Sequence, residues 1–323
     1  MNNTGESSVF SSTEPNPGDS GYSAAKRWFL SLRPFAFTAS VMPIVLAAVA
    51  AIFLHPGASS DLLWVTFPFY AVAGVLFHAG TNVLNDYYDF RHGVDGNDDR
   101  DPTHLLPRRL VTPRFMVISG HMYFALGLIV GSVIGIWRGP VYVATGVVAA
   151  LLAYFYTGAR FSFKYIALGD VIVFLLLGPA MVAMGTWALM GFVPAEAILF
   201  SVPVAFFVTA ILHGNNLRDI ESDRKDGIMT LAERLGPSIS RHLLTALFGI
   251  PFLTVAALVS FDVLPLSSLI TFVVAIPVVR LLRSVYRQSD PAELVTLPML
   301  CANLHMLFSG VLILSLFFDM LMF

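Results

Sequence analysis

Charge is scarce in this chain. Lys and Arg number 19 and Asp and Glu 21 among 323 residues, 12% in all. A soluble domain carries roughly twice that share, so a large water-exposed fold is excluded. Cysteine is scarcer still. A single Cys301 permits no internal disulfide and no thiolate metal centre, and it reads as a small buried apolar residue. The two signs of charge nearly cancel, leaving a net −2, so no nucleic-acid partner is expected. Residues 1–25 are mostly Asn, Ser, Thr, Glu, Pro and Gly. They predict a disordered polar tail without the basic and apolar regions of a signal peptide.

What remains is apolar. Hydrophobic residues make up 56% of the chain. Nine runs hold no Lys, Arg, Asp or Glu: 34–60, 62–85, 115–137, 139–159, 171–195, 197–217, 242–261, 263–279 and 294–318. Each is close to the roughly 20 residues that carry a helix across the hydrocarbon core. The expected fold is an all-α polytopic membrane protein, with residues 26–323 forming one nine-helix transmembrane domain.

The cations sort by loop. Eighteen of the 19 fall on one face when the spans are numbered in order, and only Arg138 falls on the other. The positive-inside rule makes the crowded face cytoplasmic. The N-terminus and any chemistry are therefore expected on the cytoplasmic side, and the C-terminus outside.

Two acidic clusters sit at equivalent ends of spans 2 and 6. In "NVLNDYYDF" (82–90), Asn82, Asn85, Asp86 and Asp89 fall at i, i+3, i+4 and i+7. Those positions share one face of a continuing helix. In "NNLRDIESDRKDG" (215–227), Asn215, Asn216, Asp219, Asp223 and Asp226 form a second stripe if the helix continues. Carboxylates at a helix C-terminus oppose the dipole unless a cation offsets them. Two such stripes facing each other would hold a divalent metal, and an all-oxygen donor set favours Mg²⁺, Mn²⁺ or Ca²⁺ over zinc. The plainer alternative is a set of interfacial carboxylates paired with Arg218, Arg224 and Lys225. A diphosphate held by Mg²⁺ also wants direct cations and donors. The loop "YTGARFSFKYIALGD" (156–170) offers Tyr156, Arg160, Lys164 and Tyr165 on the same face, with inside-positive anchoring as the other reading of Arg160. Asp170 reads either as a group orienting a substrate or as a helix N-terminal carboxylate.

With these residues placed, the chain resembles the UbiA superfamily of intramembrane aromatic prenyltransferases from about Arg33 to its end. The resemblance rests on "LRPFAFTASVMP" (32–43), "NDYYDFRHGVD" (85–95), the 156–170 loop and "NNLRDIESDRKDGIMTLAERLG" (215–236). Asp89 is followed by "FRHGVDGNDD", which is similar to the branch that prenylates 1,4-dihydroxy-2-naphthoate in menaquinone synthesis rather than the 4-hydroxybenzoate branch. The segment "DPTHLLPRRLVTP" (101–113) is expected to cap the substrate.

The resemblance implies nine helices around a central cavity open to the cytoplasm and to lipid. It implies one Mg²⁺ held by Asp86 and Asp89 with Asn82 and Asn85. A second would be held by Asp219 and Asp223 with Asn215 or Asn216 and Asp226. The metals, with Tyr156, Arg160, Lys164, Arg224 and Lys225, would grip a polyprenyl diphosphate while its prenyl group passes to an aromatic acceptor. A secondary transporter is the alternative from another class. Its ionisable groups are expected near the bilayer midplane, whereas here the carboxylates collect at one interface.

Overall fold

The computed structural model describes residues 23–56, 61–92, 105–107, 109–158, 162–288, 290 and 293–322. Residues 1–22 of the tail expected over 1–25, Arg160 and much of the 101–113 cap lie outside them, while Ala24 and Ala25 at the end of that tail are helical. Among the described residues the chain is chiefly helical, with no β-strand. Nine segments are long and apolar enough to cross a membrane, as many as the charge-free runs predict.

A short helix α1 (Ala24–Ser31) precedes the first span. Ser23 caps it, its side chain accepting from the Lys26 amide. The spans follow in order. The first is a 3₁₀ turn, Pro34–Phe37, leading into α2 (Thr38–Leu54). Next come α3 (Asp61–His92), α4 (Pro113–Val133) and α5 (Gly135–Thr157). The fifth span is composite: α6 (Gly169–Leu175), a π turn over Leu176–Ala180, and α7 (Met181–Met190). Then follow α8 (Ala195–Arg218), a short α9 (Ile220–Lys225) and α10 (Leu231–Ser260). A 3₁₀ segment, Leu266–Val274, continues as α11 (Ala275–Arg287), and α12 (Leu297–Met322) ends the bundle.

Two helices overrun their apolar runs. α3 continues to His92, seven residues past position 85, so Asp86 and Asp89 stay on a helix as their spacing predicts. α10 begins at Leu231, eleven residues before position 242, because Thr230 caps it and accepts from the Glu233 amide. The runs mark the apolar stretch of each helix, and the helical backbone continues beyond them.

The core lies where α8 meets α10 and α12. Phe200, Phe207, Phe248 and Phe308 are fully buried there, and the Phe207 and Phe308 rings stack at 4.3 Å. α3 packs against α4 at glycines. A Cβ on Gly120 would stand 2.6 Å from Leu84, and one on Gly80 would stand 2.7 Å from Phe124. Small residues of this kind let helices close on each other where no hydrophobic drive separates them from lipid. Large apolar side chains such as Leu253, Leu266 and Leu314 point outward, as a lipid-facing surface requires. The exceptional Arg138 secures a helix end. Its guanidinium donates to the Ala188 and Leu189 carbonyls at the end of α7, and those carbonyls have no partner in their own helix.

Candidate functional site

A chamber with about 280 Å³ of internal space runs between α2, α3, α4, α5 and the composite fifth span. Its walls are chiefly apolar. Polar groups gather at one mouth, where Asn82 and Asn85 from α3, Asn215 from α8, Tyr156 from α5, Lys164 and Arg33 all line it. The π turn contributes Leu176, Leu177 and Ala180 to the wall. Such turns occur often at functional sites.

The first acidic cluster arrives as predicted, on one helical face. Asp86 and Asp89 are buried, at 4% and 5% exposure. Both meet cations, as carboxylates at a helix end should. Arg33 donates to Asp86 at 3.3 Å. Lys164 donates to Asp89 Oδ2 at 2.6 Å and to Asn85 Oδ1 at 3.2 Å. The Tyr165 hydroxyl donates to the other Asp89 oxygen at 2.6 Å, and Thr157 donates to Asn85 at 3.0 Å. Asn82 turns its amide to the Leu32 carbonyl and so fixes the start of the first span. Burial disfavours the Lys164 ammonium, but Asp89, with Tyr165 and Tyr156, holds its pKa above the usual lysine range. It is therefore a permanent positive charge at the mouth.

The second cluster departs from the predicted stripe. α8 stops at Arg218, Asp219 caps it with non-helical backbone, and α9 restarts at Ile220. The break separates the five residues. Asn215 lines the mouth, and Asn216 is buried without reaching the chamber wall. Asp219 is gripped by Arg218 through two bonds of 2.7 Å and also accepts from Asn215. Asp223 is buried and accepts from Thr230 at 3.0 Å. Asp226 is exposed. Arg224 and Lys225 are exposed too, and Arg224 faces Glu221 and Glu233 at 3.7 and 3.4 Å. Of this cluster the structure brings only Asn215 to the chamber lining; Asp219 and Asp223 stand behind it, and Arg224, Lys225 and Asp226 are exposed away from it.

The clusters nevertheless share a field. Burial raises the Asp223 carboxyl to about 7 against the pull of Lys164, and Asp219 and Asp89 add to the rise. A parallel bridge between Ile166 and Met229 ties the Lys164 loop to the turn that carries Asp223 and Thr230.

Among the described residues, no three His, Cys, Asp or Glu side chains converge as a ready metal site. The donor set still fits Mg²⁺, which takes one or two carboxylates and fills its octahedron with waters and substrate phosphate oxygens. The donors are all oxygen, and burial, with Asp219 and Asp89 adding to it, raises Asp223.

Arg33, Thr157, Arg218 and Thr230 complete this network beyond the predicted diphosphate and metal ligands. Arg33 opens the "LRPFAF" motif but counts from sequence only as one more inside cation. Its tie to Asp86 spans 53 residues. Asp170 does not line the chamber; it faces His213, Oδ2 to Nδ1, at 2.8 Å behind the wall.

Fold and site define a class: a helical membrane protein whose apolar chamber opens at a mouth lined by amides and cations, with buried carboxylates paired to those cations. The chain belongs to the UbiA prenyltransferase family, whose sequence pattern matches residues 40–307, and it is a prenyltransferase. That sets the transporter alternative aside. It is 32% identical over 289 residues to UbiA prenyltransferase domain-containing protein 1 of Xenopus tropicalis, covering 87% of this chain and 78% of the relative. The human protein of the same name is 33% identical over 262 residues, covering 80% and 75%. A UbiA homologue from Aeropyrum pernix K1 shares the fold with a TM-score of 0.65 at 15% identity, covering 87% of this chain and 98% of that one. A homologue from Archaeoglobus fulgidus, solved bound to DMAPP and Mg²⁺, gives 0.56 at 16% identity, covering 88% and 99%. The relatives' family-level name carries no acceptor, so the sequence points to the superfamily more firmly than to its naphthoate branch.

Proposed function

We infer that the chain transfers a polyprenyl group from its diphosphate to an aromatic ring of the 1,4-dihydroxy-2-naphthoate class. With that acceptor, a ring carbon bonds the allylic carbon as diphosphate and carbon dioxide leave, and the hydroquinone form of demethylmenaquinone results. One observation carries the reading: Asn82 and Asn85 of one cluster, Asn215 of the other and a permanently charged Lys164 line an apolar chamber, with Asp89 bonded to that lysine and Asp86 to Arg33 beside it. The Archaeoglobus homologue bound to DMAPP and Mg²⁺ supports a prenyl diphosphate donor and a divalent ion here.

One ion would be held by Asp86 and Asp89 with Asn82 and Asn85, and a second by Asp219 and Asp223 with Asn215. When bound, such ions would neutralise charge that grows on the leaving diphosphate. Lys164 supplies fixed positive charge at the same place, pre-aimed by Asp89 and Asn85. Arg33, which also lines the chamber, adds a second cation. The apolar walls keep water from the allylic carbon as its bond to oxygen lengthens. Tyr156 lines the chamber near the mouth, where a ring and a diphosphate would meet. The mouth lies on the cation-rich face, so donor and acceptor are read as entering from the cytoplasmic side.

The test is transfer by the purified protein in nanodiscs. Geranylgeranyl diphosphate is offered with 1,4-dihydroxy-2-naphthoate or with 4-hydroxybenzoate, with Mg²⁺ or with EDTA. The expected outcome is a Mg²⁺-dependent product from the naphthoate alone, lighter by carbon dioxide. Product from 4-hydroxybenzoate instead would overturn the acceptor and leave the reaction type standing.

A further inference from the structure

Two tyrosines lie in the chamber lining far from the mouth: Tyr70 of α3 and Tyr142 of α5, 6% and 4% exposed. Neither ring is free to swing. The Tyr70 hydroxyl donates to the Met181 carbonyl at 2.7 Å. Its ring is seated against Gly185, where an added Cβ would stand 2.7 Å away. Tyr142 packs edge-on to Trp187 at 5.4 Å.

Depth follows from helix geometry. Asn85 and Tyr156 mark the mouth at one level, since Thr157 bonds Asn85 across the two helices. On α3, fifteen residues separate Tyr70 from Asn85, about 22 Å at the α-helical rise. On α5, fourteen residues separate Tyr142 from Tyr156, about 21 Å. The two helices agree. An isoprene unit adds four chain bonds of about 1.5 Å, roughly 5 Å extended, so the bore takes about four units. Between mouth and floor the bore passes several side chains of minimal size, among them Gly74, Gly131 and Gly146. A Cβ on Gly146 would meet only the flexible end of Met184, at 3.7 Å.

We propose that Tyr70 and Tyr142 are the floor that sets the longest prenyl tail this protein binds well, with Gly146 keeping the last quarter of the bore open. The proposal rests on the prenyl diphosphate reading above and deepens it. A tail longer than the bore must bend or leave sideways, and it loses the contacts of its outer units.

The test is binding, without turnover, of unreactive prenyl thiolodiphosphates of three, four and six isoprene units to the full-length protein with Mg²⁺. Wild type is expected to bind the six-unit probe at least tenfold more weakly than the four-unit one. Tyr142→Ala removes that penalty. Gly146→Leu blocks the bore ten residues from Tyr156, about 15 Å down, so it weakens the four-unit probe tenfold and spares the three-unit one. The two variants push in opposite directions, and melting curves confirm that each is folded. Equal affinity of wild type for four and six units overturns the floor, as does a length profile unchanged in both variants. Failure of wild type to bind any of the three overturns the diphosphate reading itself, which separates the two failures.

Discussion

Lys164 donates to Asp89 across 2.6 Å, joining residues 75 apart in the chain, and both side chains are more than nine-tenths buried. Removing one partner of a buried pair leaves an uncompensated charge, at a cost of roughly 3–5 kcal/mol. Lys164→Met should therefore lower the melting temperature sharply in EDTA. Mg²⁺ should recover part of the loss, because it returns positive charge to Asp89. Prenyl transfer should stay at least about a hundredfold down even with the metal, since the fixed charge at the leaving group is gone. Equal melting of variant and wild type in EDTA would contradict the pairing.

Asp219 offers the opposite balance. Its side chain is 30% exposed and its partner is the adjacent Arg218. Such a half-wet pair contributes at most about 1 kcal/mol. Asp219→Ala should leave the protein folded and inserted, with melting near wild type, while turnover falls by on the order of 10²–10³. Asp86→Ala should match it in turnover but melt lower, because Asp86 is buried and holds Arg33. Substantial activity in purified Asp219→Ala would remove that residue from the metal set.

Metal and donor should stabilise each other. Mg²⁺ takes few carboxylates here and completes its shell with phosphate oxygens, so neither ligand fills the site alone. A ligand at 100 times its Kd raises stability by about 2.7 kcal/mol. With Mg²⁺ and a prenyl thiolodiphosphate each near saturation, the gain should exceed the sum of the separate gains. Melting curves in four conditions measure this directly. Strict additivity would mean that the two do not share a site.

The parts of this molecule that follow local rules could be read from sequence, and those that depend on chain reversals could not. The spans were visible because lipid forbids charge along each run. Asp86 and Asp89 share a face because α3 continues unbroken through them. The second cluster follows the same spacing logic and fails it. Asp219 leaves helical geometry at the end of α8, which turns Asp223 inward and leaves Arg224, Lys225 and Asp226 in water. No residue at the break signals it; there is no Gly or Pro between 215 and 226. The pairing of Arg33 with Asp86, and the bridge from Ile166 to Met229, exist only once the bundle closes.

Thr230 shows how that turn is held, and it gives a test with its own control. Its hydroxyl donates to Asp223 at 3.0 Å and accepts from the Glu233 amide at 3.2 Å. One side chain thus starts α10 and aims Asp223. Thr230→Val keeps the shape and deletes both bonds. Loss of the cap costs about 1 kcal/mol, and loss of a bond to an acidic partner costs roughly 1.5–3 more. Thr230→Ser keeps both bonds and should melt within about 0.5 kcal/mol of wild type. If Asp223 belongs to the metal set, Val should also weaken the response of melting to Mg²⁺ with donor, and Ser should restore it. A Val variant that melts lower but keeps the full Mg²⁺ response would assign Thr230 to capping alone and leave Asp223 indifferent to its hydroxyl. A Val variant as stable as wild type would mean that neither bond contributes, and the turn would then owe its shape to the burial of Ile220 and Ile228 on either side of it.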